Sequence, residues 1–132
     1  MTDTQVRANY ALLDFQEHLG ERSDGLGVPW AEFVGNHRSS KQEFTVPTGP
    51  VSEPYLECQM FDVGEYGHEI VVNGDELTGF DIPPASGWQY WMDTITGPEL
   101  EEGENTVQFV RDRSTDDDFV VGSVIIHWKE PV

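Results

Sequence analysis

FVVGSVIIHW, residues 119–128, is the longest β-rich run in the chain, and its reading decides the fold. β-branched residues crowd it, and in an extended conformation Val120, Gly122, Val124, Ile126 and Trp128 fall on one face. A segment so apolar on one side predicts the central strand of a sheet, with Trp128 turned inward as part of the core.

The segments around it follow the same alternation. Asn105 to Val110 puts Thr106 and Gln108 on one face and Val107 and Phe109 on the other, behind the turn Glu102-Gly103-Glu104. Glu69 to Asn73 is a short apolar run stopped by Asn73-Gly74-Asp75, where glycine supplies a positive φ at no steric cost. Pro54 to Val63 alternates Tyr55, Glu57, Gln59 and Phe61 against Leu56, Cys58, Met60 and Asp62, and Glu43 to Pro47 makes a shorter strand closed by proline. Gly79 to Gly87, with Pro83-Pro84, reads as a loop; Trp88 to Thr96 mixes aromatics with β-branched residues without declaring a register.

Residues 5–19 support two readings. Ala8, Ala11, Leu12, Phe15 and Leu19 recur at helical spacing, with Asp3 or Thr4 placed to cap and Gly20 placed to stop the helix. Leu13 and Phe15 also fit an alternating strand. The strand-rich remainder favours an all-β domain that recruits this segment as another strand.

Charge sets the solvent. Twenty-five acidic residues against seven basic ones give a formal charge of −18, and only two of the seven are lysine. Such a surface repels itself in dilute buffer, whereas in molar salt the screening length falls to about 3 Å. The expectation is a protein of a halophilic organism. Disorder is the rival explanation of high charge, but four Trp, four Tyr and seven Phe among β-branched runs supply a core that disordered acidic chains lack. The 132 residues are an ordinary length for one domain, expected to span 1–132, and the single Cys58 makes no internal bridge. No basic-then-apolar leader and no membrane-length apolar stretch is visible, so a cytoplasmic protein without membrane contact is expected. Nucleic acid is disfavoured, because an acidic surface cannot displace counterions from phosphates.

PYLECQMFDV, HEIVVNGDEL, LEEGENTVQF and DDFVVGSVIIHW together bear a family resemblance. Their succession, with Val72-Asn73-Gly74 before a turn and Leu100-Glu101-Glu102-Gly103-Glu104-Asn105 leading into a later strand, resembles the galactose-binding-like β-sandwich of carbohydrate-binding modules. The chain also resembles small uncharacterised proteins of halophilic archaea. The resemblance implies an all-β antiparallel sandwich of jelly-roll type, covers the second half of the chain best, and matches residues 1–40 poorly. A superfold of this kind implies less about function, since it hosts many unrelated tasks.

Residues able to carry chemistry are few. Among twenty-five acids, pairs of carboxylates arise by chance and point to a solvated face. His18, His37, His68 and His127 follow no metal or nucleophile pattern, and Cys58 sits inside a strand as a small hydrophobe. The Asp112 to Asp118 loop offers the oxygens a calcium ion takes, without the glycine and terminal glutamate of an EF-hand; a hydrated acidic loop is the plainer reading, and no cofactor or metal is expected. The best candidates are aromatic. Trp88, Tyr90 and Trp91 crowd beside Pro83-Pro84, with Trp30 and Tyr66 in other loop-like stretches, and aromatic faces flanked by acids and amides suit the C–H faces and hydroxyls of a sugar. The same side chains could equally serve the core or its rim. The expected function is therefore a noncatalytic binding module for a carbohydrate or another small polar ligand, the alternative being a protein-assembly module that docks a partner or itself through these aromatics or a sheet edge.

The charge argument is directly testable. Tryptophan-monitored unfolding between 0.1 and 3 M salt, on the order of the range over which screening becomes complete, is expected to give a midpoint that rises with salt. A midpoint indifferent to salt removes the reading.

Overall fold

The computed structural model describes residues 5–79 and 81–132, and no helix occurs among them. They form nine strands: β1 (Val6–Leu19), β2 (Glu32–Gly35), β3 (Gln42–Val46), β4 (Ser52–Phe61), β5 (Glu69–Val72), β6 (Asp75–Glu76), β7 (Trp88–Thr94), β8 (Gly103–Val110) and β9 (Phe119–Pro131). One sheet has five strands in the order β2-β1-β9-β4-β7, the other four in the order β3-β8-β5-β6. Inward side chains of both sheets meet in one core. Leu56, Cys58, Met60, Val124, Ile126 and Trp128 come from the first sheet, and Phe44, Val46, Ile70, Val72, Val107 and Phe109 from the second. Ring contacts cross the interface, Phe15 edge-on to Phe109 at 5.3 Å between centroids and Trp128 tilted against Phe44 at 5.8 Å. This is the β-sandwich that the alternating pattern predicts.

β9 is central, paired with β1 from Val6 opposite Pro131 to Leu19 opposite Phe119 and with β4 on its other side. Its single apolar face needs a correction. Cys58 pairs with Val124 and Met60 with Val121, so Gln59 alone faces both Gly122 and Ser123. That bulge inserts one extra residue and shifts the alternation. Val124, Ile126 and Trp128 point into the core as expected, but the inward residues before the bulge are Phe119 and Val121. Val120 and Gly122 turn to the outer face, where Val120 lies opposite Phe61 and a ring of Trp88 rests on Gly122.

Residues 6–19 are a strand. Ala11 lies opposite Ile126 and Leu13 opposite Val124, with Leu13, Phe15 and Leu19 in the core and Tyr10 and Leu12 outside. The long free edge of β9 offers a ladder of backbone hydrogen bonds that outweighs the helical spacing. Gln16 adopts a left-handed φ of 47° where the register shifts between Asp14 and Glu17. Asp3 and Thr4, the expected helix caps, lie outside the described residues. β2 runs parallel to β1, pairing Glu17 with Glu32; nothing in the sequence reading anticipates it.

The loop after β8 ties one end of the sandwich together. Buried Arg111 donates from Nε to the Asp117 carbonyl at 2.7 Å, from one terminal nitrogen to the Asn36 carbonyl at 3.0 Å, and from the other to Thr115 at 2.8 Å and Glu21 at 3.3 Å. The Asp117 carboxylate accepts the Gly64 and Glu65 amides and the Nε2 of His68 at 2.7 Å, while the Asp112 amide donates to Nδ1 of the same ring. With Nδ1 accepting, the ring proton sits on Nε2. Asp118 pairs with buried His18 at 2.7 Å and lies against Gly20 and Gly25, close enough that a side chain at either would collide with it. It thereby fixes the start of the 20–31 loop.

Face assignments on β9 can be checked by truncation. Ile126→Ala, at a fully buried position, is expected to cost about 2–5 kcal/mol. Ile125→Ala, on the outer face, should cost about 1 kcal/mol or less in the same denaturant titration. Equal losses, or the reverse order, would overturn the register.

Candidate functional site

The outer face of the five-stranded sheet is built by alternation along four strands. Register lays it out in rows: Tyr10, His127 and Tyr55; then Leu12, Ile125, Glu57 and Met92; then Gln59 and Tyr90; then Val120, Phe61 and Trp88. Tyr10, Leu12, Trp30, Trp88, Tyr90 and Met92 are 49–65% exposed, although the opposite side of the same strands fills the core. Acid is sparse here. Of the outward residues of these rows and their neighbours Asp14, Ser123 and Thr94, only Asp14 and Glu57 carry carboxylates, in a chain of net charge −18. An apolar face from which the surrounding charge is withdrawn is the usual mark of a contact surface.

At one end of this face three rings assemble. Trp30, carried on the loop that Asp118 anchors, sits 5.5 Å from Trp88 at a 33° tilt and 5.6 Å edge-on from Phe61, and Trp88 is 5.2 Å from Phe61. Trp88 can lie down on the sheet because residue 122 is glycine: a Cβ there would stand 2.9 Å from the indole and 3.2 Å from the Gln59 carbonyl. Beside the cluster Gln59, Trp88, Gln89 and Tyr90 enclose a hollow of about 360 Å³. The Gln89 amide donates to the Pro83 carbonyl at 2.7 Å, which holds it in place, whereas the Gln59 amide has no side-chain hydrogen bond among the described residues.

Glu57 joins this end to the next. It accepts from the Tyr90 hydroxyl at 2.9 Å and lies 3.1 Å from Nε2 of His127. The His127 hydrogen bond, followed by that of Tyr90, holds the Glu57 carboxyl below its ordinary range, and the same carboxylate raises the Tyr90 phenol. His127 in turn stacks on Tyr55 at 4.4 Å and 8° and leans toward Tyr10 at 6.4 Å. A larger hollow of about 740 Å³ opens there, with Tyr55, Met92, His127 and Lys129 in its wall.

Of the five aromatics singled out in the sequence, the structure brings together Trp30, Trp88 and Tyr90. Trp91 occupies the other side of β7 and packs, partly buried, against the core; strand alternation separates it from its neighbours. Tyr66 is exposed on the β4–β5 loop, beside the segment that Asp117 holds. Sequence reasoning missed Tyr55, Glu57, Gln59, Phe61, Met92 and His127. Four of them form the outward set of β4, and their shared face was visible in its alternation.

Other candidates are occupied elsewhere. Asp117 and Asp118 serve backbone amides and histidines, Asp112 accepts from Ser114, and among the described residues no group of three or more His, Cys, Asp or Glu is placed to hold a metal. Cys58 is fully buried, and desolvation pushes its thiol up to about 12, leaving it a hydrophobe.

These features define a β-sandwich with an aromatic outer face. The chain belongs to DUF7383, a family of unknown function whose model matches residues 7–130. No curated protein sequence matches it. Among solved structures it is similar to the Podospora anserina GH26-CBM35 β-(1,4)-mannanase, with a TM-score of 0.52 and 11% identity, over 93% of this chain and 28% of that one. The chain thus spans little more than a quarter of that protein's length, and at this identity the likeness carries the fold alone, an all-β sandwich of two mostly antiparallel sheets.

Gly122→Val tests the seat of Trp88. The added side chain must lift the indole off the sheet, so a loss of about 1–3 kcal/mol is expected, as for other overpacked sites. A red-shifted tryptophan emission should accompany it. Unchanged emission and stability would mean that Trp88 does not rest on residue 122.

Proposed function

We propose that the protein is a noncatalytic binding module whose ligand is a carbohydrate, held on the outer face of the five-stranded sheet. The observation that carries this reading is the hollow in which the rings of Trp88 and Tyr90 stand beside the exposed Gln59, with Trp30 extending the aromatic wall. A pyranose presents the matching chemistry: an apolar C–H face for a ring and hydroxyls for an amide or carboxylate. The name of the similar solved protein, which joins a mannanase to a carbohydrate-binding module, agrees with this reading. A noncatalytic role is supported by the engagement of His127 and Glu57 with each other and with Tyr90 on this face. The module works in concentrated salt, where a charge of −18 is tolerable and stacking is undiminished.

A second reading, docking of a protein partner or a second copy, is favoured by the exposure of Leu12 and Met92 in one row with Ile125, since a sugar has little use for an aliphatic strip. Sedimentation of the isolated chain separates the two: a monomer that retards on a polysaccharide gel supports the first, a stable dimer without glycan binding the second.

Gln59→Ala is the cleanest variant, because an exposed side chain without a partner shifts stability by no more than about 0.5 kcal/mol. It should weaken retardation in native gels containing β-mannan, xylan or galactan while leaving the melting temperature in place, and Trp30→Ala should weaken it further. Wild-type protein that no such polysaccharide retards would sink the proposal.

A further inference from the structure

We infer that the ligand is an extended, uncharged glycan chain lying along β7 and β4, rather than a single terminal sugar. This deepens the carbohydrate reading and rests on it. Trp88, Tyr90, Met92 and Thr94 are alternate residues of β7 and all face outward, so at the rise of an extended chain the row runs roughly 20 Å, longer than a disaccharide. Each end of that row has its own hollow. The smaller holds the Trp88 and Tyr90 rings, and the larger has Tyr55, Met92 and His127 in its wall, with Tyr55 held by stacking on His127.

The span between the hollows is polar without being anionic. Glu57, its only carboxylate, is taken up by Tyr90 and His127, and at the far end Lys129 is paired with Glu53. The larger hollow also has Glu53, paired with Lys129, and Asp93, which accepts from the Thr94 amide, in its wall; an anionic ligand therefore meets carboxylates and no free ammonium along the path, whereas hydroxyls can use Gln59, Tyr90 and His127. Met92, 59% exposed in the wall of the larger hollow on the side of Tyr90, supplies an apolar contact for a ring. The straightness of the strand selects linear chains with an extended linkage over branched or coiled ones.

Titration calorimetry with β-1,4-linked manno- and cello-oligosaccharides of increasing length tests this. Affinity is expected to rise by about tenfold or more from the disaccharide to the hexasaccharide in at least one series, with the new contacts at the second hollow. Met92→Ser and Tyr55→Ala should remove that gain and leave the disaccharide affinity unchanged, whereas Gln59→Ala should weaken all lengths alike. Met92 is exposed, so its variant stays folded even if Tyr55→Ala does not. Binding that is equal for all lengths, or a gain that survives Met92→Ser, overturns the extended chain while leaving the carbohydrate reading intact. Tighter binding of oligogalacturonides than of the neutral series overturns the uncharged ligand, and failure to bind any glycan removes both readings.

Discussion

The pairing of β9 with β1 on one side and β4 on the other is the constraint on which the rest of the structure depends. A strand flanked on both sides has all its backbone groups satisfied and must place its side chains on two faces, so the identity of each face is fixed by register. Val124, Ile126 and Trp128 give the sandwich its core, and Ile125 and His127, between them, give the outer face its middle rows. The bulge at Gly122 and Ser123 is where the two faces exchange parity. Without it Val121 would point outward and residue 122 inward; with it, position 122 faces Trp88, where only glycine leaves room for the indole, so core and candidate site are set by the same irregularity.

The acidic residues divide into two populations with different physical roles. A minority are buried or half-buried and hydrogen-bonded: Asp117 on the 64–65 amides and His68, Asp118 on His18, Glu130 on Trp128, Asn9 and Arg7, Glu17 on the Ser40 amide. These act as local fasteners for loops, because a carboxylate can accept several backbone amides that would otherwise be orphaned. The majority are solvated and make the net charge. Their near absence from the outer face of the five-stranded sheet is therefore informative: a uniform acidic shell would have covered it.

Much of the fold was legible because burial imposes a period of two. β3, β4, β5, β8 and β9 were each visible as alternating or apolar runs, β3 closed by proline and β5 by Asn-Gly, and their strand-rich succession pointed to an all-β sandwich. Three things were not. β1 carries apolar residues at both helical and strand spacing, and only the long edge of β9 decides between them. β2 is four residues long, with no apolar alternation to announce it. The bulge on β9 leaves no mark beyond a glycine, which shifted the reading of Val120 and Gly122 by one face. For the site, proximity in sequence was the wrong guide. Trp88 and Trp91 are neighbours in the chain and lie on opposite sides of the sheet, whereas Trp30 reaches Trp88 from 58 positions away because the 20–31 loop folds over the first residues of β9.

That loop links the acidic network to the aromatic face. Asp118 lies between His18 and the backbone of Gly20 and Gly25, in space that a side chain at either glycine would share, so glycine at both positions lets the loop approach the Asp118 carboxylate. Arg111 completes the arrangement by binding the carbonyls of Asn36, Thr115 and Asp117 from within the interior, bringing the 20–37 segment and the 111–118 loop to the same end of the sandwich. The consequence is a division of labour in which the Asp112 to Asp118 loop, an obvious candidate for a cation, instead sets where Trp30 stands. Trp30, set edge-on against Phe61 and beside Trp88, loses less conformational freedom on meeting a ligand than a free side chain would, and in the proposed binding role that preorganisation would let a shallow sheet face, rather than a deep cleft, hold a ligand.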